Sequence, residues 1–265
     1  MTTLTVMNRR SSSRGRRTKR LYTHPMDERT SVSIVVPAYN EEENLPVLLR
    51  EMVEVLPQIS GRCEIIFVND GSTDRTLDVM MQLKKEHPEL SIRVLSLDGN
   101  YGLSAALDAG FRNANGDVVV SLDADLQNDP HDIPKLLERL IEADAVIGIR
   151  KKRQDSFVKK ISSRIANSIR DSVLRETWRD TGCTLKAYRR SFLERMKLFD
   201  GLHRFLPTLL RMEGARVAEV EVNHRPRIHG KSKYHLWNRL TGPLRDLFAV
   251  RWMKQRNFHY HAEEK

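Results

Sequence analysis

The chain reads as an α/β protein, a mostly parallel sheet with helices on both faces, and three observations predict it. Short β-branched runs alternate with helix-length segments across residues 32–149. The runs are apolar throughout instead of alternating, as in strands covered on both faces. Polar loops rich in carboxylates follow several of the runs, where open α/β sheets bind their ligands.

Taken in order, residues 8–30 combine Ser11, Ser12 and Ser13 with eight Arg and Lys and almost no apolar side chain, so residues 1–30 are expected to form a disordered basic leader. The folded part begins near Ser31. Strands are predicted over residues 32–37, 64–69, 92–97, 117–122 and 145–149, each a short apolar run. Helices are predicted between them, over residues 44–56, 74–87, 103–113 and 132–142, with Asp74 placed to cap the second. One catalytic domain is expected over residues 31–234, followed by a C-terminal amphipathic helical segment and tail over 235–265.

Charge narrows the function classes. The formal net charge of +10 is uneven: residues 1–30 carry +6, residues 225–256 carry +8, and the body at 31–224 carries −3. That layout fits an enzyme meeting anionic partners at its edges better than a uniformly basic nucleic-acid saddle, so no nucleic-acid partner is expected. The longest uncharged stretch, residues 30–40, is eleven residues long, whereas a membrane-spanning helix needs roughly 20 apolar ones. Residues 1–7 lack the charged leader and apolar block of a secretory signal. A cytoplasmic protein is expected, with Cys63 and Cys183 as buried, unpaired thiols.

The strand ends carry the chemistry. The first is followed by Ala38, Tyr39, Asn40 and Glu41, the second by Asp70, Gly71, Ser72 and Thr73, the fourth by Asp123, Ala124, Asp125, Leu126 and Gln127. Asp70, Gly71 and Ser72 are also ordinary turn residues. Asp123 and Asp125 are harder to explain that way, because two carboxylates one residue apart repel unless a cation or donors hold them. With Gln127 they form a hard oxygen set suited to Mg2+ or Mn2+ shared with phosphate oxygens. No Gly-x-Gly-x-x-Gly fingerprint and no P-loop is present, so a diphosphate would be held in another manner.

Pro37-Ala38-Tyr39-Asn40-Glu41-Glu42, Val68-Asn69-Asp70-Gly71-Ser72-Thr73-Asp74, Asn100-Tyr101-Gly102 and Ser121-Leu122-Asp123-Ala124-Asp125-Leu126-Gln127 together resemble the family 2 glycosyltransferases. The likeness is to the polyprenyl-phosphate branch, the dolichyl-phosphate mannose synthases and bacterial undecaprenyl-phosphate sugar transferases. It implies a GT-A fold, a GDP- or UDP-sugar donor, a polyprenyl phosphate acceptor and inversion at the anomeric carbon. It also implies that Pro37, Ala38, Tyr39, Glu41, Asp70, Asp123 and Ala124 bind the nucleotide sugar and that Asp123, Asp125 and Gln127 hold the metal.

A phosphate acceptor is already anionic and needs positioning and charge screening more than a general base. Two basic clusters could supply this, Arg150 to Arg153 after the fifth strand, and Arg225, Arg227, Lys231 and Lys233; each could equally be solvated surface. By resemblance, Arg150, Arg153, His203, Arg204 and Ser232 reach the acceptor phosphate, while Asp125, Asp180, Arg227 and Lys233 are catalytic. Asp180 could serve as a base, an acceptor-orienting group or a turn cap, and His203 could be packed or capping. A glycan or other hydroxyl acceptor is the alternative and would demand a true base.

Towards the C-terminus, Trp237, Leu240, Leu244, Leu247, Phe248 and Trp252 recur at three or four residues among Arg239, Arg245, Arg251, Lys254 and Arg256. Gly242-Pro243 divides this region into two expected helices. They either pack on the domain or lie on an anionic membrane surface, which would make the enzyme peripheral on the cytoplasmic face. A membrane-embedded partner or a homo-oligomer is left open.

Overall fold

A computed structural model of the chain describes residues 30–151, 168–196, 199–227 and 241–257. Seven strands form one sheet: β1 (Val32–Ala38), β2 (Cys63–Asn69), β3 (Ser91–Ser96), β4 (Val118–Ser121), β5 (Ala145–Arg150), β6 (Lys186–Arg189) and β7 (Val217–Val222), in the order β3-β2-β1-β4-β6-β5-β7. All run parallel except β6, which is antiparallel to both β4 and β5. The five strands read from the sequence appear within a residue of their expected ends. β6 and β7 were not among them.

Successive side chains of a strand point to opposite faces, and β1 shows both faces in use. Val32, Ile34 and Val36 join a core with α1 (Leu45–Val55), α2 (Thr76–Glu86) and α4 (Ile133–Arg139), whereas Val35 joins a second core with α3 (Leu103–Asn113). The second core is completed by α5 (Arg190–Leu193), α6 (Leu206–Met212) and α7 (Thr241–Arg256). Three layers result. A Cβ at Gly110 of α3 would fall 2.2 Å from Val35 Cγ1, so the closeness of α3 to β1 depends on glycine. The fourth predicted helix is shorter than expected: a 3-10 turn at Pro130–Asp132 precedes α4, which ends at Arg139.

The first half of the expected C-terminal helix pair lies outside the described residues; α7 begins at Thr241 with Gly242 and Pro243 in its first turn. Its Leu247 and Val250 are buried in the second core. Lys254, expected on an outward basic face, instead donates inward to Glu176 Oε1 at 2.7 Å and to the Leu174 carbonyl at 2.8 Å. Leu244, Phe248 and Trp252 face out, the last two more than 60% exposed. Among the described residues, no helix is long and apolar enough to cross a membrane.

Candidate active site

The carboxyl ends of the parallel strands and the start of the reversed β6 meet at one edge, and loop chemistry fixes their shape. Asn40 adopts φ 52° after β1. Its amide and side chain are held by Ser72 and Thr73 at 2.8–3.1 Å, and Glu41 N–H donates to Thr76 Oγ1 at 2.8 Å. Gly71 has φ +63°, and a Cβ there would lie 2.3 Å from the Gly99 backbone, so the second loop can meet the third only through glycine. Asp70 ties the third loop down. Its two carboxylate oxygens accept the Tyr101 and Gly102 amides at 2.8 and 2.9 Å, at the start of α3. Burial pushes its carboxyl upward against those two bonds.

These loops enclose a cavity of ≈ 280 Å³. Pro37, Ala38, Tyr39, Glu41, Asp70, Asp123, Ala124, Asp125 and Arg227 all line it, so the residues assigned to the nucleotide sugar do come together. Asn100, Gly102, Leu103 and Ala106 complete the wall. Leu103 and Ala106 carry no motif and are found only through their place in the first turns of α3.

Asp123 and Asp125 leave β4 through a turn in which Leu126 takes φ 60°. Burial, then the neighbouring Asp125 charge, pushes the Asp123 carboxyl up to about 7, against a Thr184 hydrogen bond and the Lys186 charge. Asp125 accepts the Gln127 amide at 3.2 Å and pairs with Arg227 Nη2 at 2.5 Å. The donor set suits a hard divalent cation only in part. Among the described residues no cluster of three or more His, Cys, Asp and Glu could hold a metal, so two carboxylates and the Gln127 side chain would need substrate phosphate and water to complete a shell, as Mg2+ and Mn2+ sites commonly do.

On the other side of this edge Asp180 is locked. Arg150 forks onto it with Nε to Oδ2 at 2.6 Å and Nη2 to Oδ1 at 2.8 Å, and Gly182 N–H donates to Oδ1 at 3.1 Å. Asp180 thus orients Arg150 and caps a turn at once. His203 lies in a 3-10 turn before α6, its Nδ1 2.7 Å from Ser104 Oγ, with Arg204 beside it. Burial, with Arg204 and Lys186 nearby, pushes the His203 imidazole down to about 3. Arg225, part of the second basic cluster, is used structurally: it pairs with Glu51 at 2.7 Å and Asp129 at 2.8 Å, holding the exit of β7 against α1. Arg153, Ser232 and Lys233 lie outside the described residues. Cys183 is buried and Cys63 half-buried; both thiols are free, and burial pushes them up to about 11 and about 12.

The model of the family described as glycosyl transferase family 2 matches residues 33–197. An undecaprenyl-phosphate 4-deoxy-4-formamido-L-arabinose transferase of Photorhabdus laumondii is 39% identical over 231 residues, 83% of this chain and 71% of the relative. Among solved structures, glucosyl-3-phosphoglycerate synthase of Mycobacterium tuberculosis with Mn2+, uridine diphosphate and phosphoglyceric acid superposes with TM-score 0.64 at 18% identity, over 87% of this chain and 80% of that one. A mannosyltransferase of Pyrobaculum calidifontis with GDP-mannose and Mn2+ superposes with TM-score 0.60 at 21% identity, over 91% and 68%.

Proposed function

Because the chain belongs to glycosyl transferase family 2, we propose that it moves a sugar from a nucleotide-diphosphate donor onto a polyprenyl phosphate, with inversion at the anomeric carbon. The observation that carries the acceptor class is the 39% identity to a relative named as an undecaprenyl-phosphate sugar transferase. That relative's sugar, 4-deoxy-4-formamido-L-arabinose, is the first to test.

In this reading the cavity between the β1, β2 and β4 ends holds the donor. A divalent cation, Mg2+ or Mn2+, bound at Asp123, Asp125 and Gln127 would neutralise charge building on the leaving diphosphate. An acceptor phosphate oxygen forms the new bond to the anomeric carbon as the bond to the diphosphate breaks, and the nucleoside diphosphate departs. No proton has to be removed from the nucleophile. Asp180 is suited to positioning, since both its oxygens already accept from Arg150 and one also from the Gly182 amide, and this counts against a hydroxyl acceptor. Arg227, already at Asp125, is placed to pass to the diphosphate. The exposed Leu244, Phe248 and Trp252 support peripheral seating on a membrane surface.

The test is an assay of radiolabelled nucleotide sugars with undecaprenyl and dolichyl phosphate. Label entering the organic phase is expected; none with any common donor, while a glycan acceptor is labelled, refutes the lipid reading.

A further inference from the structure

The reversal of β6 brings a lysine to the site that no motif marks. Lys186 opens the strand, opposite Ser121 of β4, and is 3% exposed. Burial, with Arg150 nearby, pushes its ammonium below the ordinary lysine range, against the opposing pull of Cys183, Asp180 and Asp123. Among the described residues its ammonium nevertheless makes no hydrogen bond and no ion pair. A buried cation without a direct partner is costly to keep.

His203 lies within electrostatic reach of the same lysine, and its hydrogen bonds define its form. Ser104 Oγ accepts the Gly201 amide at 3.1 Å and lies 2.7 Å from His203 Nδ1. Ser104 is buried, and among the described residues its hydroxyl proton has no acceptor other than Nδ1. Nδ1 is therefore the bare nitrogen, and the single ring proton of the neutral imidazole sits on Nε2. That N–H has no partner among the described residues. His203 is thus a fixed neutral donor instead of a base or a cation.

We infer that Lys186 and the Nε2–H of His203 together seat one phosphate oxyanion, that of the acceptor, an inference resting on the function proposed above. Neither residue lines the donor cavity, and on that ground the proposal gives them the second phosphate of the reaction. The ammonium supplies charge, and the imidazole, aimed by Gly201 and Ser104, supplies direction.

Steady-state kinetics of the full chain with a short-chain prenyl phosphate test this. Lys186→Met and His203→Ala should each raise acceptor KM by about ten- to a hundredfold, the loss of one charge-assisted hydrogen bond, leaving donor KM within about twofold. His203→Gln, which can return an N–H near the Nε2 position, should recover most of that loss. A structural role for Lys186 would lower the melting temperature of Lys186→Met; the seat predicts melting at or above wild type, because a buried unpaired charge is removed. In 15N-histidine NMR at pH 7, His203 should show the Nε2–H tautomer, and inorganic phosphate should shift its signal in wild type but not in Lys186→Met. An unchanged acceptor KM in both Lys186→Met and His203→Ala, a rise in donor KM instead, or an Nδ1–H tautomer overturns the seat. If no lipid-linked sugar forms with any acceptor, the functional reading fails separately, and the phosphate titration still decides for or against the seat.

Discussion

Glu176 is the hinge of the C-terminal attachment, and its removal has a cost that the structure lets one work out. The residue is 6% exposed. Its Oε2 accepts from Trp178 Nε1 at 3.0 Å and Thr208 Oγ1 at 2.6 Å, and its Oε1 accepts from Lys254 Nζ at 2.7 Å. Glu176→Ala strands two buried neutral donors, at about 1–3 kcal/mol each. Lys254 is 36% exposed at its side chain and can turn to water, so the total should be about 3–5 kcal/mol. For a chain of this size that is a fall in melting temperature of roughly 6–20 °C. Glu176→Gln keeps shape and one acceptor and should cost only about 1–2 kcal/mol. Burial alone would raise the Glu176 carboxyl, but bonds from Lys254, Thr208 and Trp178 outweigh it and hold it below its ordinary 4.5. A depressed carboxyl stabilises the fold above its unfolded value and loses that contribution as pH falls through the folded one. The gap between wild type and Glu176→Gln, followed by urea unfolding with tryptophan fluorescence, should therefore be full at pH 7 and narrow below pH 4.5. A Glu176→Ala cost under about 1 kcal/mol, or a gap independent of pH, would refute the network.

Asp125→Asn should lower kcat by about a thousandfold while circular dichroism stays that of wild type, since Asp125 sits in a loop and its partner Arg227 is part-exposed; unaltered turnover would remove the carboxylate from the proposed metal site. The raised, buried thiol of Cys183 should resist a thiol-reactive chromophore at pH 8 until denaturant is added, with the half-buried Cys63 labelled more slowly than a free thiol, and labelling of Cys183 in the native state would contradict its burial. Replacing Leu244, Phe248 and Trp252 together by Ser should abolish flotation with anionic vesicles at unchanged stability, because all three are exposed. Flotation equal to wild type would place the membrane contact elsewhere.

What the sequence made legible, and what it concealed, divides along a physical line. β1, β2, β4 and β5 announce themselves as apolar runs because both their faces are covered, β3 is a partly exposed edge strand read from Ile92, Val94 and Leu95, and α3 appears over the same residues as expected, Leu103–Asn113. β6 is four residues long with Lys and Arg at its ends, and what makes it a strand is pairing with β4 and β5, a contact remote in sequence. β7 is short and half-buried at the sheet edge, its Val and Glu alternating. The donor loops could be read because their residue types are unusual together. Arg150 and Arg225 could not be judged that way: sequence displays a positive charge but not its partner, and in the fold one grips Asp180 while the other joins Glu51 to Asp129. Ser104 and Lys186 carry no motif; the first is a helix residue and the second the start of a reversed strand.

The distribution of partners explains how a site of carboxylates can accept two anionic substrates. Asp180, Asp129 and Asp125 each have an arginine of their own, Arg150, Arg225 and Arg227. The first two pairs lie outside the lining of the donor cavity and tie neighbouring segments together, where a forked guanidinium fixes geometry more than it supplies free charge. Arg227 differs, because its partner is also a residue proposed to hold the metal. Asp125 would then serve both Arg227 and a divalent ion, and Arg227, beside the donor cavity, is placed to offer the diphosphate a bidentate grip. Among the described residues Lys186 has no such partner, and in the seat proposed above it meets the other phosphate. On this reasoning donor and acceptor charges are met by different cations, and Arg227→Lys, which keeps the charge but loses the fork, should raise donor KM while sparing acceptor KM. Equal rises in both would show that the two phosphates share one positive field.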